Sequence, residues 1–300
     1  MIHFNNFTYG ALNPVLAYLV SCVGCFAGLR CTTRARASAG AGRARWLALA
    51  ALAIGTTGIW TMHFIAMLGF TIPGQQIRYN VPITILSMLI AVVVVGIGIF
   101  IVGFSRPGAW PPLLLGGTII GIGVASMHYI GMAAIRVPDS LVYNPVLVAV
   151  SVVIAVIAGT AALWAALRLD SLWSAIIASM IMGVAVSSMH YTGMAALSVR
   201  AAPGLAVSYA WGASAEGLLL PLILGLSCLG FVFSTVLTLS PTAAEMVEEA
   251  ELMQRIGQAP PREPYRQATR QAWPDAEQNG QAQTGSLFRP RQPGPPAGGA

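Results

Sequence analysis

The sequence predicts an all-α membrane protein with seven transmembrane helices, and three observations lead to this fold class. The chain of 300 residues is 56% hydrophobic and 9% charged, whereas soluble domains carry about 25% charged residues. Its apolar residues fall into seven runs that approach the ~20 residues needed to cross a hydrocarbon core. The runs are continuous and lack the alternating pattern of barrel strands, which indicates helices.

The predicted spans are apolar on all faces and are flanked by Arg, Pro, Asn, Asp or Trp. The N-terminal segment has no basic region, and the first span does not end in a small-residue cleavage pattern. We therefore interpret the first span as a retained helix rather than a signal peptide. The predicted spans are Leu12–Leu29, Trp46–Phe70, Val81–Phe104, Pro112–Ile135, Pro145–Leu167, Leu172–Leu197 and Leu218–Leu239.

The distribution of arginine predicts the orientation of the chain. All 16 positive charges are Arg, and all but Arg78, Arg136 and Arg200 lie in the first, third and fifth loops or in the C-terminal tail. Because cytoplasmic loops carry the excess of positive charge, we expect an outside N-terminus and a cytoplasmic C-terminus. This role of the basic loops gives no reason to expect a nucleic-acid partner. The lack of Lys excludes a retinal Schiff base.

The composition changes after the last span and predicts three regions. Residues 1–240 form the membrane domain. Thr242 and Glu245 have the spacing of a capping box, so residues 241–257 are predicted to form a short cytoplasmic juxtamembrane helix. Residues 258–300 are rich in Pro, Gln, Gly and Arg, a composition typical of disorder. No enzymatic domain is recognised in the tail, and we expect no enzymatic activity.

A nine-residue motif recurs along the membrane domain. Ser126–Ala134 reads SMHYIGMAA, Ser188–Ala196 reads SMHYTGMAA, and Thr61–Met67 is a looser copy that reads TMHFIAM. The helix before each copy begins near an Asn followed closely by Pro. The first six spans are therefore predicted to be three copies of a helix pair, to which a seventh helix is added.

Each copy of the motif places one His inside a membrane helix. Ionisable residues are costly there, and they usually face a partner, a cavity or a cofactor. His63, His128 and His190 lie in the second, fourth and sixth spans, about seven residues from the outward end of each. The three imidazoles should therefore share one depth near the extracytoplasmic face, which a common site requires.

Methionines accompany each of these His residues. Residues i and i+4 share a helix face, so a thioether should lie beside each imidazole. The methionines four residues after each His are Met67, Met132 and Met194, and those directly before it are Met62, Met127 and Met189. Imidazole and thioether suit copper, whereas Mg²⁺ and Ca²⁺ prefer oxygen and zinc rarely uses Met. Haem with His or His/Met ligands is the alternative, and simple packing of the His is the remaining one.

The motif resembles that of the MHYT domain family, bacterial integral-membrane modules with the motif on alternate helices near the outer face. It is complete at Met189–Thr192, nearly complete at Met127–Ile130, and departs in the first copy at Phe64 and Ile65. The resemblance covers about residues 10–240. It implies an inner-membrane sensor that binds copper through the His and Met of the motif and senses oxygen, carbon monoxide or nitric oxide.

Other classes remain open on the residues alone. Members of the resembled family often continue into cyclic-di-nucleotide enzymes, kinases or DNA-binding domains, and none is recognised in this sequence, so we expect a separate cytoplasmic signalling protein as partner. The sequence is compatible with a homo-oligomer in the lipid bilayer. Transport of copper or a small solute is a second class, although Asp139, Asp170 and Glu216 fall at loops or helix ends rather than inside spans. A haem-bearing electron carrier is a third.

Overall fold

The computed structural model describes residues 4–106, 108–168, 171–200, 212–239 and 251–255. Within these ranges, seven helices are long and apolar enough to cross a membrane, which confirms the predicted fold class. The helices are α1 (Leu12–Arg36), α2 (Gly40–Met67), α3 (Val81–Gly103), α4 (Trp110–Ala133), α5 (Pro145–Arg168), α6 (Leu172–Ala195) and α7 (Ala215–Leu239).

The first two helices extend beyond their predicted spans. The first span was expected to end at Leu29, whereas α1 continues to Arg36. Hydropathy marks only the apolar part of a helix, and Arg side chains can extend from the last turns towards polar groups at the membrane surface. Here Arg34 Nη2 donates to the carbonyl of Leu237 at 3.0 Å, and Arg36 donates to the carbonyl of Leu167. These two bonds tie the end of α1 to the ends of α7 and α5.

The repeated Asn residues lie where helices begin. The side chain of Asn80 accepts the backbone N–H of Ile83 in the first turn of α3, and Asn144 accepts that of Val146 in the first turn of α5. Asn satisfies the free N–H groups of a first turn, and Pro costs least there because its missing N–H is not needed. Asn13, in the first copy, instead lies within α1 and donates to the carbonyl of Ile65 in α2 at 3.0 Å.

In the described part of the chain, five short strands join the helices at the end of the bundle that carries the motif. Strand β1 (Arg78–Tyr79) pairs antiparallel with both β2 (Ile135–Arg136) and β5 (Ala213–Ser214). Strand β3 (Ser140–Tyr143) pairs antiparallel with β4 (Leu197–Arg200), with Ser140 opposite Arg200 and Tyr143 opposite Leu197. Since β2 and β4 begin within two residues of the ends of α4 and α6, the strands cover the motif-bearing ends of the helices. Strands this short leave no recognisable pattern of hydrophobic residues, so they were not predicted from the sequence.

One part of α2 is wound as a π-helix rather than an α-helix. This π-helical segment (Ala53–Thr61) ends directly before Met62 and His63. It contacts two other helices, because Ser21 of α1 donates to the carbonyl of Gly58 at 2.7 Å and Thr57 donates to the carbonyl of Leu226 in α7 at 3.4 Å. Short π-helical turns occur often at functional sites, and this one positions the first His of the motif.

Five residues of the predicted juxtamembrane segment 241–257 lie within the described residues. Glu251–Arg255 are helical. The other residues of the predicted juxtamembrane helix, and the predicted disordered tail at 258–300, lie outside the described residues.

Candidate metal centre

His63, His128 and His190 meet inside the bundle. We call them the His trio. They come from α2, α4 and α6, four or five residues before the ends of those helices, because the helices end a little earlier than the predicted spans. Each side chain is at most 1% exposed. The predicted common depth therefore corresponds to actual contact between the three side chains.

The three Nδ1 atoms form a nearly equilateral triangle. His63 Nδ1 lies 3.0 Å from His190 Nδ1 and 3.2 Å from His128 Nδ1, and the third side is 3.3 Å. The ring planes meet at 75°, 77° and 83°. The rings thus stand around a common axis like the blades of a propeller, with the same nitrogen of each ring turned inward.

Hydrogen bonding alone cannot satisfy this triangle. The Nδ1 of a neutral imidazole is either a donor or an acceptor, never both. If each of three nitrogens is either a donor or an acceptor, at least two of them must be of the same kind. One pair of nitrogens must therefore place two lone pairs, or two N–H groups, within 3.3 Å of each other. A cation bound to all three lone pairs removes this conflict.

The size of the triangle fits a metal ion. At the usual metal–nitrogen distance of ~2.0–2.1 Å, three imidazole nitrogens of a trigonal or tetrahedral site lie roughly 3.3–3.6 Å apart. The observed sides of 3.0–3.3 Å require only a slight outward movement of the rings. Within the described residues, the His trio is the one group of three or more His, Cys, Asp or Glu side chains whose possible ligand atoms all lie within 4.8 Å of one another.

Two of the three outward nitrogens of the trio face glycine. A methyl group added at Gly131 would lie 2.7 Å from His63 Nε2, and one added at Gly193 would lie 2.5 Å from His128 Nε2. Both Nε2 atoms are buried without a hydrogen-bond partner among the described residues. These glycines, which follow His128 and His190 by three residues, make room for the imidazole of the preceding copy of the motif.

The six methionines of the motif are all buried, and none is more than 2% exposed. Met189 lines a cavity on the inner side of the His trio, towards the middle of the bundle. Met132, with Tyr129 and Tyr143, lines an open cavity on the outer side, towards the short strands. The triangle itself is formed by nitrogen atoms alone. Their role as ligands stays a prediction.

An aromatic ring packs edge-on against each imidazole. Phe64, Tyr129 and Tyr191 directly follow the three His residues, with ring centroids 4.7, 4.8 and 4.9 Å from that of the preceding imidazole. The Tyr129 hydroxyl bonds to Ser151 Oγ at 2.7 Å. Phe64 keeps the ring contact without a hydroxyl, so the shared feature of the three copies is the ring.

Tyr143 of β3 adds a further ring on the outer side. It packs edge-on against Tyr129 with centroids 5.7 Å apart. Burial raises the pKa of Tyr143 to about 12, because the charged phenolate is poorly solvated there. Tyr143 is therefore neutral at any physiological pH and contributes packing rather than charge.

The four cysteines are free. Cys25 and Cys31 are fully buried in α1, and Cys25 packs close to Gly58 of the π-helical segment. Cys25 and Cys31 therefore serve as small packing residues in the interior of the bundle.

The fold and the buried trio define a multi-pass membrane protein with one internal histidine centre. Its family follows from three matches to the family model of MHYT, the bacterial signalling protein N-terminal repeat, at residues 57–116, 121–179 and 183–244. These matches cover more than half of the chain, and the chain belongs to the MHYT family. It therefore carries a membrane sensor domain and is a multi-pass protein of the bacterial inner membrane.

Several relatives are signalling proteins. The chain is 37% identical over 194 residues to MucR of Pseudomonas aeruginosa, a bifunctional diguanylate cyclase/cyclic di-GMP phosphodiesterase, with 63% of this chain and 28% of the relative covered. It is 40% identical over 205 residues to the cyclic di-GMP phosphodiesterase NbdA of the same organism, with 66% and 26% covered. It is 32% identical over 198 residues to the signalling protein YkoW of Bacillus subtilis, with 63% and 24% covered. The matches thus span about a quarter of the length of each of these relatives. No solved structure matches the chain.

Proposed function

We propose that the chain senses redox state or a diatomic gas at one copper ion, which the Nδ1 atoms of the His trio bind, and that it signals this state to a cytoplasmic partner. The triangle of inward-facing Nδ1 atoms, with sides of 3.0–3.3 Å, is the observation that carries the proposal. The three imidazoles would hold the ion, which would supply a site where a small ligand could bind.

The charge and softness of the site favour copper over zinc. The trio is buried, and Glu216, in the first turn of α7, is the one acidic residue within the seven membrane helices. A divalent cation would therefore be placed in a low-dielectric interior without a compensating carboxylate, at a large desolvation cost. Cu(I) carries half that charge, and imidazole with nearby thioether suits it.

The spacing of the triangle disfavours haem. Two axial nitrogens on one haem iron are about 4 Å apart, twice a metal–nitrogen bond, and the porphyrin must fit between the two rings. The nitrogens of the trio lie within 3.3 Å of each other, and the rings are in mutual contact. Haem binding by two of these His residues would require the helices to separate.

Contacts of α7 supply a route from the centre to the cytoplasmic end. Thr57, in the π-helical segment next to His63, contacts Leu226 and Gly230 of α7. Ser234 of α7 donates to the carbonyl of Val23 in α1 at 3.2 Å. A change in the winding of α2 at the metal would therefore reach α7, which precedes the predicted juxtamembrane helix.

The interior below the trio supports sensing rather than metal transport. A cavity on that side is lined almost entirely by apolar groups, and Arg36 and Arg43 line the next cavity towards the other end. A cation leaving the trio in that direction would lose its ligands and then meet two positive charges. Asp139, a candidate for coupling ion movement, lies outside the spans and accepts a hydrogen bond from Gln75.

Metal analysis of the purified chain tests the proposal. We expect one copper ion per chain after copper loading, no haem absorption, and loss of the metal in His128→Gln. His3→Ala is the matched control, since His3 is the chain's other histidine and lies outside the motif; it should keep the copper. A folded wild type that retains no copper, or a His128→Gln variant that retains all of it, would contradict the proposal.

A further inference from the structure

An apolar cavity lies within the bundle on the inner side of the His trio. Its volume is about 50 Å³, room for roughly three to five water-sized spheres. All of the first six helices contribute to its wall. We call it the inner cavity.

Three wall residues place the inner cavity directly beneath the trio. Ile59, Val124 and Val186 line it, and each lies four residues before a His of the trio. In the α-helices α4 and α6, residues i and i+4 share a helix face and are separated by about 6 Å along the axis, and Ile59 lies in the π-helical segment directly before the turn that carries His63. The cavity therefore lies on the axis of the propeller, one helical turn from the three imidazoles. Met189 also lines it and directly precedes His190.

The inner cavity is unsuited to water. A buried water molecule needs two to four polar partners. Apart from the sulfurs of its Cys and Met residues, the wall's side chains offer a single polar group, the hydroxyl of Thr32, and that hydroxyl donates to the carbonyl of Leu29 at 2.8 Å. The backbone groups of the wall are bonded within their helices. Apolar cavities of this kind remain dry and accept apolar guests such as xenon.

One wall of the inner cavity faces the lipid. Ala158 and Ala162 of α5 and Ala185 of α6 line the cavity, and all three are half-buried. Only methyl groups therefore separate the cavity from the bilayer on this side. Small apolar molecules dissolve preferentially in the hydrocarbon core, so their source for this cavity is the membrane.

We propose that the inner cavity is a binding site for one apolar molecule of two or three heavy atoms, which enters from the bilayer between α5 and α6. Its place beneath the trio gives the bound molecule access to the inner axial position of the centre. That use in sensing rests on the function proposed above, whereas binding itself requires no metal.

Xenon is the probe that tests this site. Xenon NMR with saturation transfer, on the whole chain in lipid nanodiscs, should show a protein-bound signal distinct from xenon in lipid. Ala162→Leu should remove it by filling the cavity. Ala161→Leu is the matched control, because Ala161 is exposed on the same helix and does not line the cavity; it should leave the signal unchanged. Val124→Ala enlarges the cavity and should strengthen the signal.

The outcomes separate this proposal from the metal proposal. A wild type without bound xenon, or an equal signal in Ala162→Leu and wild type, overturns the cavity site whatever metal is bound. The same spectra from His128→Gln should retain the xenon signal, because the trio is not part of the wall. A xenon signal in a protein that holds no copper would support the cavity site. It would contradict only the proposed copper centre.

Discussion

Gly193 lies against the outward edge of the His128 ring, so that a methyl group at Gly193 would be 2.5 Å from His128 Nε2. The glycine belongs to one copy of the motif and the imidazole to the copy before it. The same relationship holds between Gly131 and His63, at 2.7 Å. The second and third copies thus each position the ring of the copy before them, and the inward direction of Nδ1 in His63 and His128 follows from this packing.

Gly193→Ala should disrupt the triangle. The added methyl group forces the His128 ring to rotate or α6 to move away, and such overpacking costs about 1–3 kcal/mol. We expect a lower thermal midpoint and a copper affinity reduced by roughly tenfold or more, since each 1.4 kcal/mol is a factor of ten. Isothermal competition with a Cu(I) chelator measures the affinity.

Gly225→Ala is the control for that substitution. An added methyl group at Gly225 in α7 would have no neighbour within 4 Å, and Ala is favoured over Gly in a helix by about 0.5–1 kcal/mol. Copper affinity should be unchanged and stability equal or higher. Equal copper affinity in Gly193→Ala and Gly225→Ala would show that the glycine does not position the ring.

Much of this architecture was predictable from hydrophobic run length and helix geometry. Seven long apolar runs admit few other folds, because each must satisfy its backbone within the bilayer. The common depth of His63, His128 and His190 follows from their positions near the ends of three helices that run in the same direction. Their convergence was therefore predicted correctly.

Other features depended on three-dimensional relationships between distant residues. Gly131 and Gly193 were conserved between two copies of the motif, yet their contact with the imidazole of another copy needs the relative rotation of α2, α4 and α6. Helical periodicity assumes α-helical winding, so it does not reveal the π-helical segment. A signal for the inner cavity was present, because the residue four before each His is Ile or Val in all three copies.

The aromatic position after each His should respond differently in the three copies. Phe64→Tyr should destabilise the fold by about 1–3 kcal/mol, because a buried hydroxyl without a partner is costly and Phe64 Cζ faces Gly131. Tyr129→Phe loses the bond to Ser151 and should cost about 1 kcal/mol. Tyr191→Phe should be neutral or stabilising, since the Tyr191 hydroxyl is buried without a partner among the described residues. Thermal unfolding in detergent measures all three; the reverse order would refute this interpretation of the ring contacts.

Thr57→Val should weaken the connection between the centre and α7. It keeps the shape of the side chain and removes the hydrogen bond to Leu226, at a cost of about 0.5–1.5 kcal/mol. In wild type, copper loading should alter the hydrogen exchange of α7 amides near Leu226 and Gly230. We expect a smaller copper-dependent change in Thr57→Val, with copper content unchanged.

The neighbouring threonine provides the control for this connection. The Thr56 hydroxyl donates to the carbonyl of Leu52 within its own helix at 2.6 Å and lies 3.5 Å from the Thr57 hydroxyl, so Thr56→Val removes a hydroxyl of α2 that makes no bond to α7. Its copper-dependent exchange should match that of wild type. If Thr56→Val and Thr57→Val alter the exchange of α7 equally, the effect comes from α2 itself and not from the contact with α7.

If the proposed copper ion is bound, its removal should destabilise the bundle, because the cation would resolve the conflict within the His trio. A ligand that binds only the folded state stabilises it by about 2.7 kcal/mol when its free concentration is 100 times Kd. For a chain of this size that amounts to a fall in the thermal midpoint on the order of 5–10 °C when a Cu(I) chelator is added. The chelator should leave the midpoint of His128→Gln unchanged, whereas His3→Ala should respond as wild type does. A wild-type midpoint that is insensitive to the chelator, measured on protein shown to contain copper beforehand, would mean that the three imidazoles are held in place by packing alone.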